Sequence, residues 1–190
     1  MLIKELCSDY FWIMPKTPKY TEGAKIPYIT SKNLRNGSID YSNCKYVTED
    51  DFNKLSTKRC ILENDFLISM IGTLGEVAIV SKDDLPIYGQ NMYLLRPDFS
   101  KISKKYLFYF LTSSYLKQKL LNITNGATQS YLHDTDIINQ SIQNRTIEEQ
   151  NSISHELDSI TNALSAKKRE LESLNELIKS QFIKEAILYE

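Results

Sequence analysis

The side chains able to do covalent chemistry are few and scattered. His133 and His155 are the only histidines, and Cys7, Cys44 and Cys60 the only cysteines, with no histidine near any cysteine in sequence. A nucleophile and its base must meet within hydrogen-bond reach, and nothing in this spacing brings them there. Gly72-Thr73-Leu74-Gly75 could let a phosphate approach the backbone, but no Lys-Ser/Thr follows Gly75 and no helix is signalled there, which argues against a nucleotide-binding loop. No catalytic residue, metal ligand or cofactor is expected. What remains is recognition chemistry. Amide and guanidinium groups read adenine and guanine edges, and they recur in turn-like stretches: Lys32, Asn33, Arg35 and Asn36; Thr73; Gln90 and Asn91; and Thr128, Gln129 and Tyr131. Lys32 suits a phosphate better than a base. Each stretch taken singly also reads as a solvated loop.

The elements that must position these residues follow from pattern. Pro15, Pro18 and Gly23 make residues 1–25 read as irregular. Ile26, Tyr28 and Ile29 signal a strand, and Asn36-Gly37 a tight turn between strands. Thr48 precedes Glu49, Asp50 and Asp51, an N-cap followed by acids that favour the positive end of a short helix. Cys60 to Val80 reads as strand, most strongly in the apolar run from Phe66 to Ile71, which predicts burial on both faces. Asp83-Asp84 closes that hairpin, and Ile87 to Leu95 supplies a further strand. Ser103 to Leu121 carries apolar residues at helical steps, and a last short strand is expected around Ile142. The class is α+β.

From about Ile147 the pattern changes. Ile153, Leu157, Ile160, Leu164, Lys167, Leu171, Leu174 and Ile178 follow at alternating steps of four and three, the heptad spacing that keeps one stripe facing a partner helix. No proline or glycine interrupts the run, and only Lys167 breaks its apolar character. From Ile153 to Ile178 such a helix spans about 38 Å at ~1.5 Å per residue, too long to be covered by a small domain beside its base. The other helical run is shorter, so the spacing asks for a helix from another chain, with Ile153, Leu157, Ile160, Leu164, Leu171, Leu174 and Ile178 as the pairing residues. A fold-back onto its own domain is the competing reading.

Residues 1–147 carry 18 Lys and Arg against 15 Asp and Glu, whereas 148–190 carry 5 against 9. The mildly basic first part is therefore the only plausible nucleic-acid surface, and the acidic helix a poor one. At 42 % hydrophobic and 25 % charged the composition is that of an ordinary globular chain. No run approaches eighteen apolar residues and no signal peptide is legible, so the expectation is a cytoplasmic chain with no membrane contact and free thiols.

Four pieces then fall in a recognisable order: Ile26-Pro27-Tyr28-Ile29 with Asn33 and Gly37 following; Asp65-Phe66-Leu67-Ile68-Ser69-Met70-Ile71-Gly72-Thr73-Leu74-Gly75; Gly126-Ala127-Thr128-Gln129; and Glu149-Gln150 opening the heptads. Together they resemble the DNA specificity subunit of type I restriction-modification systems: one target-recognition domain, residues 1–146, and one spacer helix, residues 147–190. The chain departs from the family where Asn64 replaces a frequent glycine before Asp65, and where Gln143-Asn144-Arg145-Thr146 replaces a Pro-rich strand end. The resemblance implies a mixed-strand recognition domain, a long C-terminal coiled-coil helix, and a non-catalytic protein that binds double-stranded DNA. It implies methyltransferase and restriction subunits as partners. Since the family usually carries two domains and two antiparallel helices, it also implies a homodimer through antiparallel helices that reads a bipartite site. The chain has no Asn/Asp-Pro-Pro-Tyr/Phe segment for a flipped adenine and no Gly-rich strand-to-helix loop for S-adenosylmethionine. A coiled-coil adaptor with no DNA is the alternative; binding to random duplex that falls with salt discriminates.

Overall fold

The computed structural model describes residues 1–57, 59–72, 74–124 and 132–187. A 3-10 turn (Ile3–Leu6) leads into β1 (Cys7–Ile13). Then come β2 (Ile26–Thr30), the short hairpin β3 (Leu34–Arg35) and β4 (Ser38–Ile39), β5 (Lys45–Val47) and α1 (Glu49–Ser56). The central strands are β6 (Phe66–Ser69), β7 (Val77–Ile79), β8 (Tyr88–Gln90) and β9 (Met92–Pro97). Helices α2 (Lys104–Thr112), α3 (Ser114–Thr124), α4 (Asp134–Ile138) and α5 (Ile147–Ile187) complete the chain.

An antiparallel sheet in the order β1-β9-β6-β7 forms the middle layer. Side chains alternate faces along a strand, and here both faces are covered. Phe66, Ile68, Tyr93 and Leu95 enter a core shared with α2, α3 and α4, while Leu67, Met92, Leu94, Phe11 and Ile13 enter a second core under the sheet β5-β2-β8. That explains why β6 reads as an apolar run broken only by Ser69: all four of its residues are buried.

Several elements differ from the sequence expectation. The irregular reading of residues 1–25 misses β1, an edge strand whose first half is largely exposed and so carries little apolar signal. The single strand expected from Ile87 to Leu95 is two, because Asn91 takes φ +63° between β8 and β9. Residues 60–65 form a turn, with Asn64 at φ +67°. Among residues other than glycine, asparagine is one that tolerates this left-handed conformation. The turn closes on Asp65, wholly buried, which accepts two bonds from Arg96 at 2.8 Å and one from the Leu62 amide at 2.7 Å. The run from Ser103 is two helices broken at Ser113. Around Ile142 there is only a bridge between Leu2 and Ser141.

Helix α5 starts where the heptads do. Thr146 and Glu149 form a reciprocal cap: the Thr146 amide donates to Glu149 Oε2 at 2.8 Å, and the Glu149 amide to Thr146 Oγ1 at 3.3 Å. One turn on, Gln150 is buried and accepts from the Ser103 amide at 2.7 Å, satisfying the donor of the residue that precedes α2. Its Nε2 donates to the Arg145 carbonyl at 3.0 Å and the Lys101 carbonyl at 3.3 Å. Asp158 then accepts from Tyr109 at 2.7 Å and pairs with Lys105. Beyond these turns the helix leaves the domain. Among the described residues no helix is long and apolar enough to cross a membrane.

Candidate nucleic-acid interface

Asn36 and Gly37 both have positive φ, +50° and +86°, as the two-residue turn joining paired strands requires when it follows their twist. The tip is anchored on both sides. The Gly37 amide donates to the Val77 carbonyl at 3.1 Å and its carbonyl accepts from the Ile79 amide at 3.0 Å. A side chain at Gly37 would also meet the Phe108 ring, 2.9 Å from where a Cβ would stand. The hairpin that carries Arg35 and Asn36 is therefore fixed to the central sheet, so these side chains project from a rigid base.

The second stretch arrives through a long-range pairing. β8 runs parallel to β2, with Tyr28, Ile29 and Thr30 opposite Tyr88, Gly89 and Gln90. Gly89 allows it, since a Cβ there would lie 2.2 Å from the Ile29 carbonyl oxygen. Gln90 and Asn91 thus reach the same end of the sheet as residues 31–40. A cleft of about 660 Å³ results, lined by Lys32, Asn33, Arg35, Gln90 and Asn91 together with Tyr20, Tyr28 and Lys45. Asn36 lines an adjoining depression with Lys32, Arg35 and Glu76.

Roles within the cleft divide by what each side chain already holds. Asn33 is buried: its Oδ1 accepts from the Thr30 amide at 2.8 Å, and its Nδ2 donates to the Asp40 carbonyl at 2.8 Å. The expectation that Asn33 reads a base is corrected accordingly. Its amide is committed to holding the loop, and it positions its neighbours. Lys32, Arg35 and Asn36 are exposed. Arg35 lies 3.5 Å from Asp40, whose carboxyl is held below its usual range first by hydrogen bonds from Ser42 and then by the Arg35 charge. Gln90 Oε1 accepts from Thr17 at 3.1 Å and from Tyr28 at 3.2 Å. Burial pushes the Tyr28 phenol up, with Tyr20 and Tyr88 adding, so Tyr28 stays a neutral donor.

Tyr20, Tyr28 and Lys45 are absent from the sequence-based set. Tyr20 packs edge-on to Tyr28 at 5.8 Å, and Lys45 stands over the Tyr20 ring at 4.3 Å. Tyr28 sat inside an apolar strand signal, and Tyr20 and Lys45 gave no local signal. Thr73, Thr128, Gln129 and Tyr131 lie outside the described residues; Gly72 and Gly75, on either side of Thr73, hold φ +82° and +74°.

The pairing residues expected on α5 separate into two groups. Ile153 packs against its own domain's core and Leu157 is half-buried. Ile160, Leu164, Leu171, Leu174 and Ile178 are between 50 and 66 % exposed, forming an apolar row that the chain itself leaves bare.

Comparison with known proteins gives a consistent result. The chain is 27 % identical over 163 residues to the type I restriction enzyme MjaVIII specificity subunit of Methanocaldococcus jannaschii, covering 82 % of this chain and 38 % of that one. It is 28 % identical to the putative type I restriction enzyme MjaX specificity subunit of the same organism, covering 83 % and 38 %. The crystal structure of the HsdS subunit from Thermoanaerobacter tengcongensis superposes with a TM-score of 0.62 at 22 % identity, over 89 % of this chain and 38 % of that one. The S subunit of a type I restriction-modification system from M. genitalium superposes with a TM-score of 0.55 at 18 % identity, over 87 % and 39 %. The chain therefore spans less than two fifths of the length of these relatives. The family model described as the type I restriction modification DNA specificity domain matches residues 5–176, nearly the whole sequence, and the chain belongs to that family.

Proposed function

We propose that this chain is a sequence-specific, non-catalytic DNA-binding protein with two parts, a target-recognition domain over residues 1–146 and a pairing helix over 147–190. In this reading the domain reads a short half-site in duplex DNA through the cleft between the β3–β4 hairpin and the β8–β9 turn. Helix α5 pairs with the same helix of a second copy in antiparallel sense. Two domains then address the two halves of a bipartite site, and the assembly directs methyltransferase and restriction subunits there. The observation that carries the reading is the meeting of Lys32, Arg35, Gln90 and Asn91, from two distant stretches, around one polar cleft. Guanidinium and amide groups discriminate bases, Lys32 and Lys45 suit phosphates, and Thr73, Thr128, Gln129 and Tyr131 are proposed to contribute as well.

The test is enrichment of a randomised duplex library on the purified chain. The expected product is two short half-sites in inverted repeat around unread base pairs, with affinity falling as salt rises. Arg35→Ala is expected to lower discrimination at one position of each half-site by ~1–3 kcal/mol. Enrichment that is unchanged by Arg35→Ala removes that residue from the readout, and no retention of duplex at low salt overturns the proposal.

A further inference from the structure

The two neighbouring amides of the cleft stand under different constraints. Gln90 ends β8, where the parallel pairing sets it opposite Thr30, and its side chain is held at the tip as well. Its Oε1 accepts from the Thr17 hydroxyl at 3.1 Å and from the Tyr28 phenol at 3.2 Å. An amide oxygen has two lone pairs, and both are taken. Its Nε2 keeps two protons that make no bond among the described residues. Asn91, next in the chain and lining the same cleft, has no side-chain bond at either end among those residues.

Which end of the Gln90 amide meets the hydroxyls is decided by Tyr28. That residue is 1 % exposed, and burial pushes its phenol up, so the group stays protonated and needs an acceptor. Among the described residues Gln90 supplies the only one. Turning the amide over would aim Nε2 at both hydroxyls and leave the phenol proton buried without an acceptor, which is the costly way to lose a hydrogen bond. Thr17 is exposed, and its hydroxyl serves equally as donor or acceptor. It adds a second hold on Gln90 without setting the direction.

We infer that Gln90 reads DNA as a donor only, held by Tyr28 and Thr17 so that it selects guanine over adenine at one position of the half-site. The inference rests on the DNA-reading cleft proposed above and names the base edge that one of its side chains takes. In the major groove adenine offers a donor at N6 beside an acceptor at N7, and a glutamine matches that pair only with both ends of its amide free. Guanine offers acceptors at O6 and N7, whereas thymine offers one, at O4, beside a methyl group. An amide whose oxygen is committed can give its protons to guanine, but it meets the amino group of adenine proton against proton. The N4 amino group of cytosine is refused for the same reason. Asn91, with both ends of its amide free, keeps the adenine match. Tyr28 and Thr17 are positioning residues: they act on the base through Gln90.

The test is enrichment of a randomised duplex library on the full chain and on Gln90→Ala, Tyr28→Phe, Thr17→Val and the last two combined, with the fold of each checked by circular dichroism. The wild type is expected to favour guanine over adenine roughly fivefold or more at one position of each half-site, and Gln90→Ala to lose the preference at that position alone. Freeing the amide is expected to admit adenine there, most in the combined variant, while the other positions and retention on random duplex hold. Lost packing would instead weaken every position together. Thr17→Val, at an exposed residue, frees one lone pair without touching the core and should admit adenine by itself to a lesser degree, so the test survives a Tyr28→Phe chain that fails to fold. Adenine at the Gln90-dependent position in the wild type, or no position that depends on Gln90, overturns the inference and leaves sequence-specific DNA reading standing. A guanine preference that neither hydroxyl variant alters overturns it too. No duplex retained at low salt overturns both.

Discussion

The first three turns of α5 and the rest of its length are one continuous helix under opposite conditions. At the base, Gln150 and Asp158 each hold two or more partners in the domain, and Ser154 is buried. Along the shaft, Ile160, Leu164, Leu171, Leu174, Leu177, Ile178 and Phe182 are all at least half exposed. Helix propensity does not distinguish the two, since neither part contains glycine or proline. The base is held by polar groups already satisfied inside the chain. The shaft offers apolar area that only another molecule can cover, and monomeric proteins rarely leave so long a contiguous apolar row bare. The comparison teaches that the residues fixing the helix to its domain and those left bare along it are different, so each set can be broken alone.

The largest expected effect falls on the domain side. Asp65→Ala leaves the Arg96 guanidinium without its buried acceptor and the Leu62 amide unpaired. Removing one partner of a buried pair costs about 3–5 kcal/mol, and chemical denaturation followed by circular dichroism should register it as a lowered midpoint for the domain. The seam itself should be unchanged, since the Asp65 carboxylate is bonded to Arg96 and to the Leu62 amide, neither of them on α5. The converse experiment is Leu164→Glu with Leu171→Glu. In the proposed dimer this places four carboxylates in an apolar seam, and association is expected to weaken at least a thousandfold, about 4 kcal/mol. Light scattering should report a monomer whose domain unfolds at the wild-type midpoint under conditions where the wild type is also dissociated. A loss of fold would show that the shaft is needed by its own domain and would end the distinction between base and shaft.

Gln150→Ala probes the boundary between the two. It strands the Ser103 amide at the start of α2, and an unsatisfied buried donor costs about 1–3 kcal/mol. Hydrogen exchange should quicken at Ser103 and through the first turn of α5, with protection from Ile160 onward in the dimer unchanged. Equal quickening along the whole helix would mean that base and shaft open as one unit.

How much of this was legible in the sequence depends on whether the signal was local. The Asn36-Gly37 turn, the Thr48 cap and the heptads of α5 are rules about neighbours a few residues apart. The turn, the cap and the long helix itself stand in the structure, with Thr48 Oγ1 accepting from the Asp51 amide at 3.2 Å. β1 was not legible, because an edge strand with an exposed first half lacks the alternation that marks strands. The cleft was visible only as separate polar turns. Its assembly depends on the parallel pairing of β2 with β8, whose partners are about sixty residues apart, and no local pattern reports such a pairing. Asn33 illustrates the same limit at one residue. Its type suits base reading, and its burial beneath Asp40 is a property of the folded loop.

Asp158 supplies the smallest effect and the finest test of the base. Hydrogen bonds from Lys105 and Tyr109, with the charges of Lys105 and His155 adding, hold its carboxyl below the ordinary aspartate value of 3.8, while the Lys105 ammonium is raised by the same contact. A carboxyl whose value is lower in the folded state stabilises that state fully above its unfolded value and loses the contribution as pH falls toward the folded one. Thermal unfolding of the wild type and of Asp158→Asn should therefore differ most near neutrality, with the wild type the more stable. The gap should begin to close as pH falls through about 4 and vanish below the lowered folded value, where both carry a neutral group at that position. Because the pair lies at the surface the gap should be small, and high salt should shrink it further. A gap that persists unchanged at low pH would show that the difference does not arise from the Asp158 charge.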